Sequence, residues 1–341
     1  MKKILGLLSI LFVFGLFNGH TALAEEMSYS VQAILPENQK TDVSYFHLTM
    51  KPSQEQELKL KLVNYADRPS TIAVTPRNAF TNDNGMIDYS LDDPIMDRTM
   101  KYPFTELVSK KQVVTLKPKE EKEISFQLKM ASESFDGDVL GGFFVQEVDE
   151  NETTDASNEA KKEQKSASGV QLSNRFSYTI GVKLSETDRI VKPEIKLAEA
   201  KAGLANGRTA FLATIRNVQR ATLKNATVEG NIYQKGKLVY TTKKEKLAMA
   251  PYSVFNYNVS LDNEEIKAGD YTMKLTVSSG EDKWSFTKEF NVDKKEAENI
   301  NEKAVDVVKQ PTNYWPWIVG AMSLVLVGLV GYILYQKKRH V

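Results

Sequence analysis

The sequence predicts an all-β ectodomain built as two tandem Ig-like antiparallel β-sandwiches, followed by a charged stalk and one C-terminal transmembrane helix. Three observations predict it. Short segments of alternating polar and apolar residues recur through most of the chain, separated by turn residues. Both ends carry apolar runs, of different lengths and with different flanks. Cysteine is absent, so no disulfide framework is available.

The ends come first. Met1-Lys2-Lys3 precedes an apolar run over 4–17 and then Ala22-Leu23-Ala24, the charged, apolar and small-residue parts of a secretory signal. That run is shorter than the roughly 20 residues a membrane span needs, so cleavage after Ala24 is expected, removing 1–24. Near the other end, 317–335 carries no charge and is long enough to cross a hydrocarbon core as a helix. Trp315, Trp317, Tyr332 and Tyr335 stand near its ends, where amphipathic rings favour the interface. Lys337, Lys338 and Arg339 follow at once and place the tail, 336–341, on the cytoplasmic side. The expected span is 315–335, a permanent one, because no LPxTG-like sorting signal precedes it. Gly320, Gly328 and Gly331 form no GxxxG, so no helix dimer is predicted.

The ectodomain follows. Glu57-Leu-Lys-Leu-Lys-Leu-Val63, Thr71-Ile-Ala-Val-Thr75 and Glu123-Ile-Ser-Phe-Gln-Leu-Lys129 read as strands of a first sandwich over 28–150. Thr227-Val-Glu-Gly-Asn-Ile-Tyr233, Tyr271-Thr-Met-Lys-Leu-Thr-Val277 and Trp284-Ser-Phe-Thr-Lys-Glu-Phe290 read as strands of a second over 170–293. Asn82-Asp-Asn-Gly85, Lys235-Gly236 and Ser279-Gly280 are turn signals. The segment 151–169 has no aromatic or large aliphatic residue and should stay mobile. It is either the interdomain linker or a long loop of the first sandwich. In the second case the strand at 173–184 completes that sandwich, and Val191-Lys-Pro-Glu-Ile-Lys-Leu197 opens the next one from near 190. The region 294–314 is charged, with Ile300, Ala304 and Val307 or Val308 at helical spacing, and reads as a stalk ending near Pro311.

The residue inventory argues against catalysis. Without its signal and tail the chain keeps one histidine, His47, between Phe46 and Leu48 in a strand-like run. A serine triad has only that histidine to use, and no Gly-x-Ser-x-Gly elbow exists. Cysteine-based zinc sites are excluded. Asp92-Asp93 reads as solvated loop acids; a glycosidase would need a partner carboxylate across a cleft. Asp83, Gly85 and Asp88 hint at a calcium loop but lack its bidentate glutamate. No Walker or dinucleotide glycine pattern occurs, so no cofactor and no metal are expected. Setting aside Lys2, Lys3, Lys337, Lys338 and Arg339 leaves 40 of the 45 basic residues against 44 acidic ones. An ectodomain at −4 lacks the basic face that nucleic acid requires. The expectation is a binding protein, not an enzyme.

Six residues are candidate ligand contacts. Asn38 and Gln39 follow Pro36 at a strand end, where side-chain amides either bond a glycan or peptide backbone or close a turn. Asn82 lies at the turn already named, and Asp136 precedes Gly137 at another. Gly141 and Gly142 allow a close approach, by a ligand or, more in keeping with strand glycines, by packing within the sheet. Trp284 reads as core.

Several segments together resemble the WxL-interacting protein family of Gram-positive bacteria. They are Val31-Gln-Ala-Ile-Leu-Pro-Glu-Asn-Gln39 with Tyr45-Phe46, Val63-Asn64, Ala79-Phe80-Thr81-Asn82 with Gly85 and Tyr89, and Phe135-Asp-Gly-Asp-Val-Leu-Gly-Gly-Phe143. Tyr178-Thr-Ile-Gly-Val-Lys-Leu184, Met249-Ala-Pro251, Ala268-Gly-Asp-Tyr271 and Trp284-Ser-Phe286 continue the match. Order and spacing carry it, not any single motif. Phe80 and His47 depart from the pattern, standing where an alanine-like and an acidic residue are expected. The resemblance implies a peptidoglycan-binding-type domain followed by a host-binding-type domain. It also implies partnership with WxL-domain surface proteins and peptidoglycan in a cell-wall complex; the alternatives are an adhesin whose main ligand is a host matrix protein and a chaperone-like assembly factor for surface proteins. The implied location is the cell membrane, single-pass, with the ectodomain at the wall.

Overall fold

The computed structural model describes residues 28–148 and 176–305, together with helical positions 319, 322, 323, 326 and 328. The expected signal, the insert at 151–169 and all but those five positions of the expected membrane helix lie outside the described residues. Among the described residues no helix is long and apolar enough to cross a membrane. The described chain is mostly β and divides into two compact units. The first runs to Glu194 and includes Asn217–Leu223 and Ala248–Val254; the second holds the remainder.

The first unit is a sandwich of two sheets. One has the order β1 (Tyr29–Ile34), β3 (Glu55–Asn64), β8 (Glu121–Lys129). The other has the order β2 (Phe46–Thr49), β10 (Ser177–Ser185), β9 (Asp138–Glu147), β4 (Ser70–Asn78), β7 (Gln112–Leu116). The alternation read in β3 and β8 sets their register. Leu58 lies opposite Phe126 and Leu60 opposite Ile124, so one shift of pairing would turn every leucine to solvent. Phe143 sits at the centre of the core, its ring centroid 4.5 Å from Phe126, 5.7 Å from Phe104 and 6.3 Å from Phe46. Phe104 comes from a single helical turn, α1 (Phe104–Leu107).

β10 pairs antiparallel with β9 along its whole length and parallel with β2. The chain therefore returns to the first sandwich after 175, and the first strand of the second sandwich starts at Ile195. The hairpin of β5 (Phe80–Thr81) and β6 (Ile87–Asp88) closes at the Asn82–Gly85 turn. There the Asn82 Oδ1 accepts from the N–H groups of Asn84 (3.0 Å) and Met86 (3.2 Å).

The second unit pairs a three-stranded sheet, β11 (Ile195–Ala205), β12 (Arg208–Asn217), β15 (Val254–Ser260), with a four-stranded one. The latter has the order β14 (Lys237–Met249), β13 (Leu223–Gln234), β16 (Gly269–Ser279), β17 (Asp282–Val292). Asn206-Gly207 and Lys235-Gly236 take positive φ at both residues, the two-residue hairpin geometry that matches strand twist. Phe211 packs against Tyr271 (4.7 Å) and Phe290 (5.6 Å) at its core. Trp284 is half-buried opposite Val277.

The stalk begins with a helix, α2 (Lys294–Lys303), capped by Asp293, whose carboxylate accepts the Glu296 N–H at 2.7 Å. The helix docks on its own unit. The Asn301 amide accepts from the Ile266 N–H (2.8 Å) and donates to the Ile266 carbonyl (2.9 Å), and Val305 N–H donates to Gly207 O at 2.8 Å. The stretch from 306 onward lies outside the described residues, save the isolated positions already named.

Candidate ligand-binding face of the first sandwich

Strand alternation sends Phe46, Val182, Phe143 and Val74 into the core, and their neighbours His47, Gly181, Gly142 and Thr75 to the outer face. On that face Gly181 pairs with Gly142, Gly142 with Arg77, and His47 with Lys183. Two cross-strand glycines leave a shallow trough, because neither supplies a side chain. Tyrosines cover it. A Cβ at Gly142 would come within 3.1 Å of Tyr89 Cδ1, and one at Gly181 within 3.7 Å of Tyr45 Cβ. The Tyr45 and His47 rings run near-parallel, 6.5 Å apart at 24°, and Tyr45 keeps 38% of its surface exposed. Burial, with a smaller contribution from Tyr45, pushes the Tyr89 hydroxyl up to about 12.

Arg77 holds the covering loop. It is 5% exposed, lies 3.8 Å over the Phe144 ring, donates to the carbonyls of Tyr89 and Ser90, and pairs with Asp92. The residues Tyr89 to Asp92 are thereby pinned over the sheet by one guanidinium, a fork suited to several acceptors at once.

At the strand ends the face becomes charged. Lys183 pairs with Asp138 (3.0 Å), Lys40 with Asp188 (2.5 Å) and Arg189 with Asp136 (2.7 Å). Thr187 Oγ1 donates to the second Asp136 oxygen at 2.7 Å. These groups surround or adjoin a cavity of about 230 Å³, into whose lining Arg220 also enters. Gly137, at φ +89°, is required there: a Cβ would lie 2.3 Å from the Arg220 carbonyl.

The six sequence candidates separate by place. Asn38 exchanges two 2.9 Å hydrogen bonds with the Gln56 amide. Gln39 clasps the chain where the Tyr45 loop enters β2 with His47. Its Nε2 donates to the carbonyls of Tyr45 (2.8 Å) and Thr41 (3.2 Å), and its Oε1 accepts the His47 N–H (3.2 Å). Asn82 is committed to the hairpin, where it also donates to Asp88 at 3.0 Å. Asp136 adjoins the cavity. Gly141 points inward, where a Cβ would fall 2.2 Å from the Phe104 ring, so core packing uses that approach. Gly142 is on the outer face. The structure thus brings Asp136 and Gly142 to one face, with Gln39 positioning part of it. The sequence reading did not name Tyr45, Tyr89, Lys183 or Asp138 as site residues. The interior strand glycines were their available signal, since alternation turns Gly142 and Gly181 outward together.

The calcium hint resolves locally. The Asp88 carboxylate accepts from Asn82 and from the N–H groups of Tyr89 (2.6 Å) and Ser90 (2.8 Å). Among the described residues no three His, Cys, Asp or Glu side chains group to hold a metal ion.

No curated protein matches the sequence. Among solved structures the chain is similar to a chain of a chaperone–tip adhesin complex of CFA/I fimbriae, at 9% identity over 78% of this chain and 98% of that one, TM-score 0.30. It is also similar to the E. coli chaperone DraB, at 16% identity over 78% and 98%, TM-score 0.26. A third is the class 5 fimbriae chaperone CfaA, at 13% identity over 76% and 98%, TM-score 0.28. TM-scores of this size establish no common fold. Family models give a firmer result. The peptidoglycan binding domain of the WxL Interacting Protein family matches residues 29–147, and the host binding domain of the same family matches residues 167–302. With both domains present in that order, the chain belongs to the WxL-interacting protein family.

Proposed function

We propose that this protein is a membrane-anchored surface scaffold that engages WxL-domain proteins and peptidoglycan in a cell-wall complex. Its two Ig-like sandwiches stand outside the membrane on the stalk, behind a cleaved signal and ahead of a single C-terminal span. It binds and does not catalyse. The observation that carries the reading is the ordered pair of family domains. An open aromatic face on the first unit supports the peptidoglycan half of it. Tyr45 and His47 offer a flat, partly exposed ring surface of the kind that packs against a sugar face, and polar groups lie beside it. The second family domain supports host contact as a further role, carried by the second unit.

The test is retention of the full chain, in mild detergent, on purified peptidoglycan sacculi and on surface extract from the source bacterium. Capture of a WxL-domain protein in fixed stoichiometry supports the scaffold. Tyr45→Ala should weaken sacculus retention roughly tenfold while leaving the circular dichroism spectrum unchanged. A folded protein that captures no surface protein, or that cleaves the sacculi, overturns the reading. Host contact is tested by adhesion of the full chain to immobilised host matrix protein; a folded chain that does not adhere overturns that role.

A further inference from the structure

We infer that the cavity at the strand ends of the first unit receives the carboxylate of a peptidoglycan stem peptide. This rests on the peptidoglycan reading and names the part of the polymer that the charged end of the face recognises.

The argument is one of charge and place. Four cations, Lys40, Lys183, Arg189 and Arg220, line the cavity with His47, against the lining acids Asp138 and Asp188 and the adjoining Asp136. Three of the cations are held by carboxylates on the protein, and two of those ion pairs are exposed. Asp188 keeps 86% of its side chain in solvent and Arg189 keeps 75%. Pairs of that kind contribute little and exchange partners readily. Arg220 differs. It is 6% exposed, lies 4.2 Å over the Phe135 ring, and its Nη1 has no hydrogen-bond partner. Among the described residues it makes no ion pair within 4 Å. Its charge is felt across a poorly screened interior whatever its orientation. Each of the other three cations has its own carboxylate, so the shortfall rests on Arg220, which meets the rings of Tyr102, Phe135 and Tyr252 and, at longer range, Glu133; an arriving carboxylate supplies its missing partner.

The acids select among anions. Asp138 and Asp188 accept peptide N–H groups, whereas a phosphate polymer would bring several negative charges against them. A short peptide with one terminal carboxylate and nearby N–H donors satisfies both signs. Placement agrees. His47 belongs both to the stacked pair with Tyr45 and to the cavity lining, so a sugar on the rings and the peptide it carries would meet adjacent parts of one surface.

The experiment titrates the full chain in detergent with a soluble disaccharide–peptide bearing a free terminal carboxylate, and with the same molecule ending in a carboxamide. Intact sacculi serve as a parallel bait. The free acid should bind about tenfold more tightly, as expected for a charge-assisted hydrogen bond. Lys183→Met and, separately, the surface variant Arg189→Gln should each narrow that ratio; the second guards against a folding defect in the first. Equal binding of acid and amide, with sacculi still retained, overturns this inference and leaves the peptidoglycan reading standing. Displacement of the free acid by a glycerol-phosphate polymer at equal charge also overturns it. Failure to retain sacculi at all overturns both.

Discussion

Gly142 and Gly181 stand directly opposite one another across β9 and β10, and each is covered by a tyrosine from a different loop. The absence of a side chain at Gly142 is what lets Tyr89 settle onto the sheet, whereas Tyr45 lies at ordinary contact distance over Gly181. The three glycines of this region are therefore not equivalent. Gly141→Ala drives a Cβ to 2.2 Å from the buried Phe104 ring and should cost about 3 kcal/mol, the upper range for overpacking. Gly142→Ala meets the Ile180 carbonyl and Tyr89 at 3.1 Å and should cost about 1 kcal/mol. Gly181→Ala meets only ordinary contacts from 3.7 Å and should be neutral or slightly stabilising, since alanine favours the strand over glycine. Urea denaturation of the three variants gives the order, and any other ranking would refute this account of the trough.

Asn64 closes a loop from inside. Fully buried at the end of β3, it donates to the carbonyls of Arg68 and Lys117, each at 2.9 Å, and accepts the Ala66 N–H at 2.9 Å. Asn217 at the end of β12 makes the same kind of knot with Ala221 (2.7 Å) and Ala250 (3.0 Å). Replacing either by leucine strands buried backbone groups, so each should lose about 2–3 kcal/mol. Asn64→Asp should do no better at neutral pH, because a carboxylate oxygen would then face carbonyl oxygens. Equilibrium unfolding measures both.

Asp88 gives the β5–β6 hairpin an acid sensitivity. Partial burial pushes its carboxyl up, but hydrogen bonds from Asn82 and from Ser90 and Tyr89 outweigh it and hold it below its ordinary value of 3.8. A carboxyl depressed on folding adds stability that is present above the unfolded value and is lost as pH falls through the folded one. The hairpin should therefore loosen below pH 3.8, and Asp88→Asn should remove that dependence. Amide exchange at Thr81 and Ile87, followed between pH 5 and pH 2, reports it.

The root of the stalk is held by side chains, not by helix propensity alone. Asp293→Ala removes the cap of α2 and should cost about 1 kcal/mol. Asn301→Leu breaks both bonds to Ile266 and should release the helix from its sandwich. Hydrogen exchange across 294–305 should rise sharply in the second variant while the β-sheet amides stay protected. Uniform loss of protection would mean that the helix is integral to the sandwich fold.

Much of this architecture was legible in the sequence. Alternation in β3, β8 and β16 showed which residues face inward, because a pleated strand has a period of two and a half-buried sheet must respect it. The Asn82–Gly85 turn and the Lys235-Gly236 hairpin were legible for an equally local reason, the φ angles those residues tolerate. Asn206-Gly207 carries as strong a hairpin signal, but the sequence reading did not name it. Asn38, by contrast, looked like a ligand contact because an exposed amide has no local clue to its partner, and Gln56 supplies it from 18 residues away.

By itself, then, the sequence determined the β class, the inward faces, the turns, the family and the lack of cysteine chemistry, all properties of neighbouring residues or of their order. Only the tertiary structure decided that β10 lies between β2 and β9, that Gln39 clasps the chain where the Tyr45 loop enters β2 with His47, and that Lys40, Asp138, Lys183 and Arg220 converge on one cavity. The reason is physical. Hydrogen bonding between strand backbones is nearly blind to side-chain identity, so which distant segments pair is selected by packing of the whole core, and the site exists only where that packing brings four separate stretches of chain together.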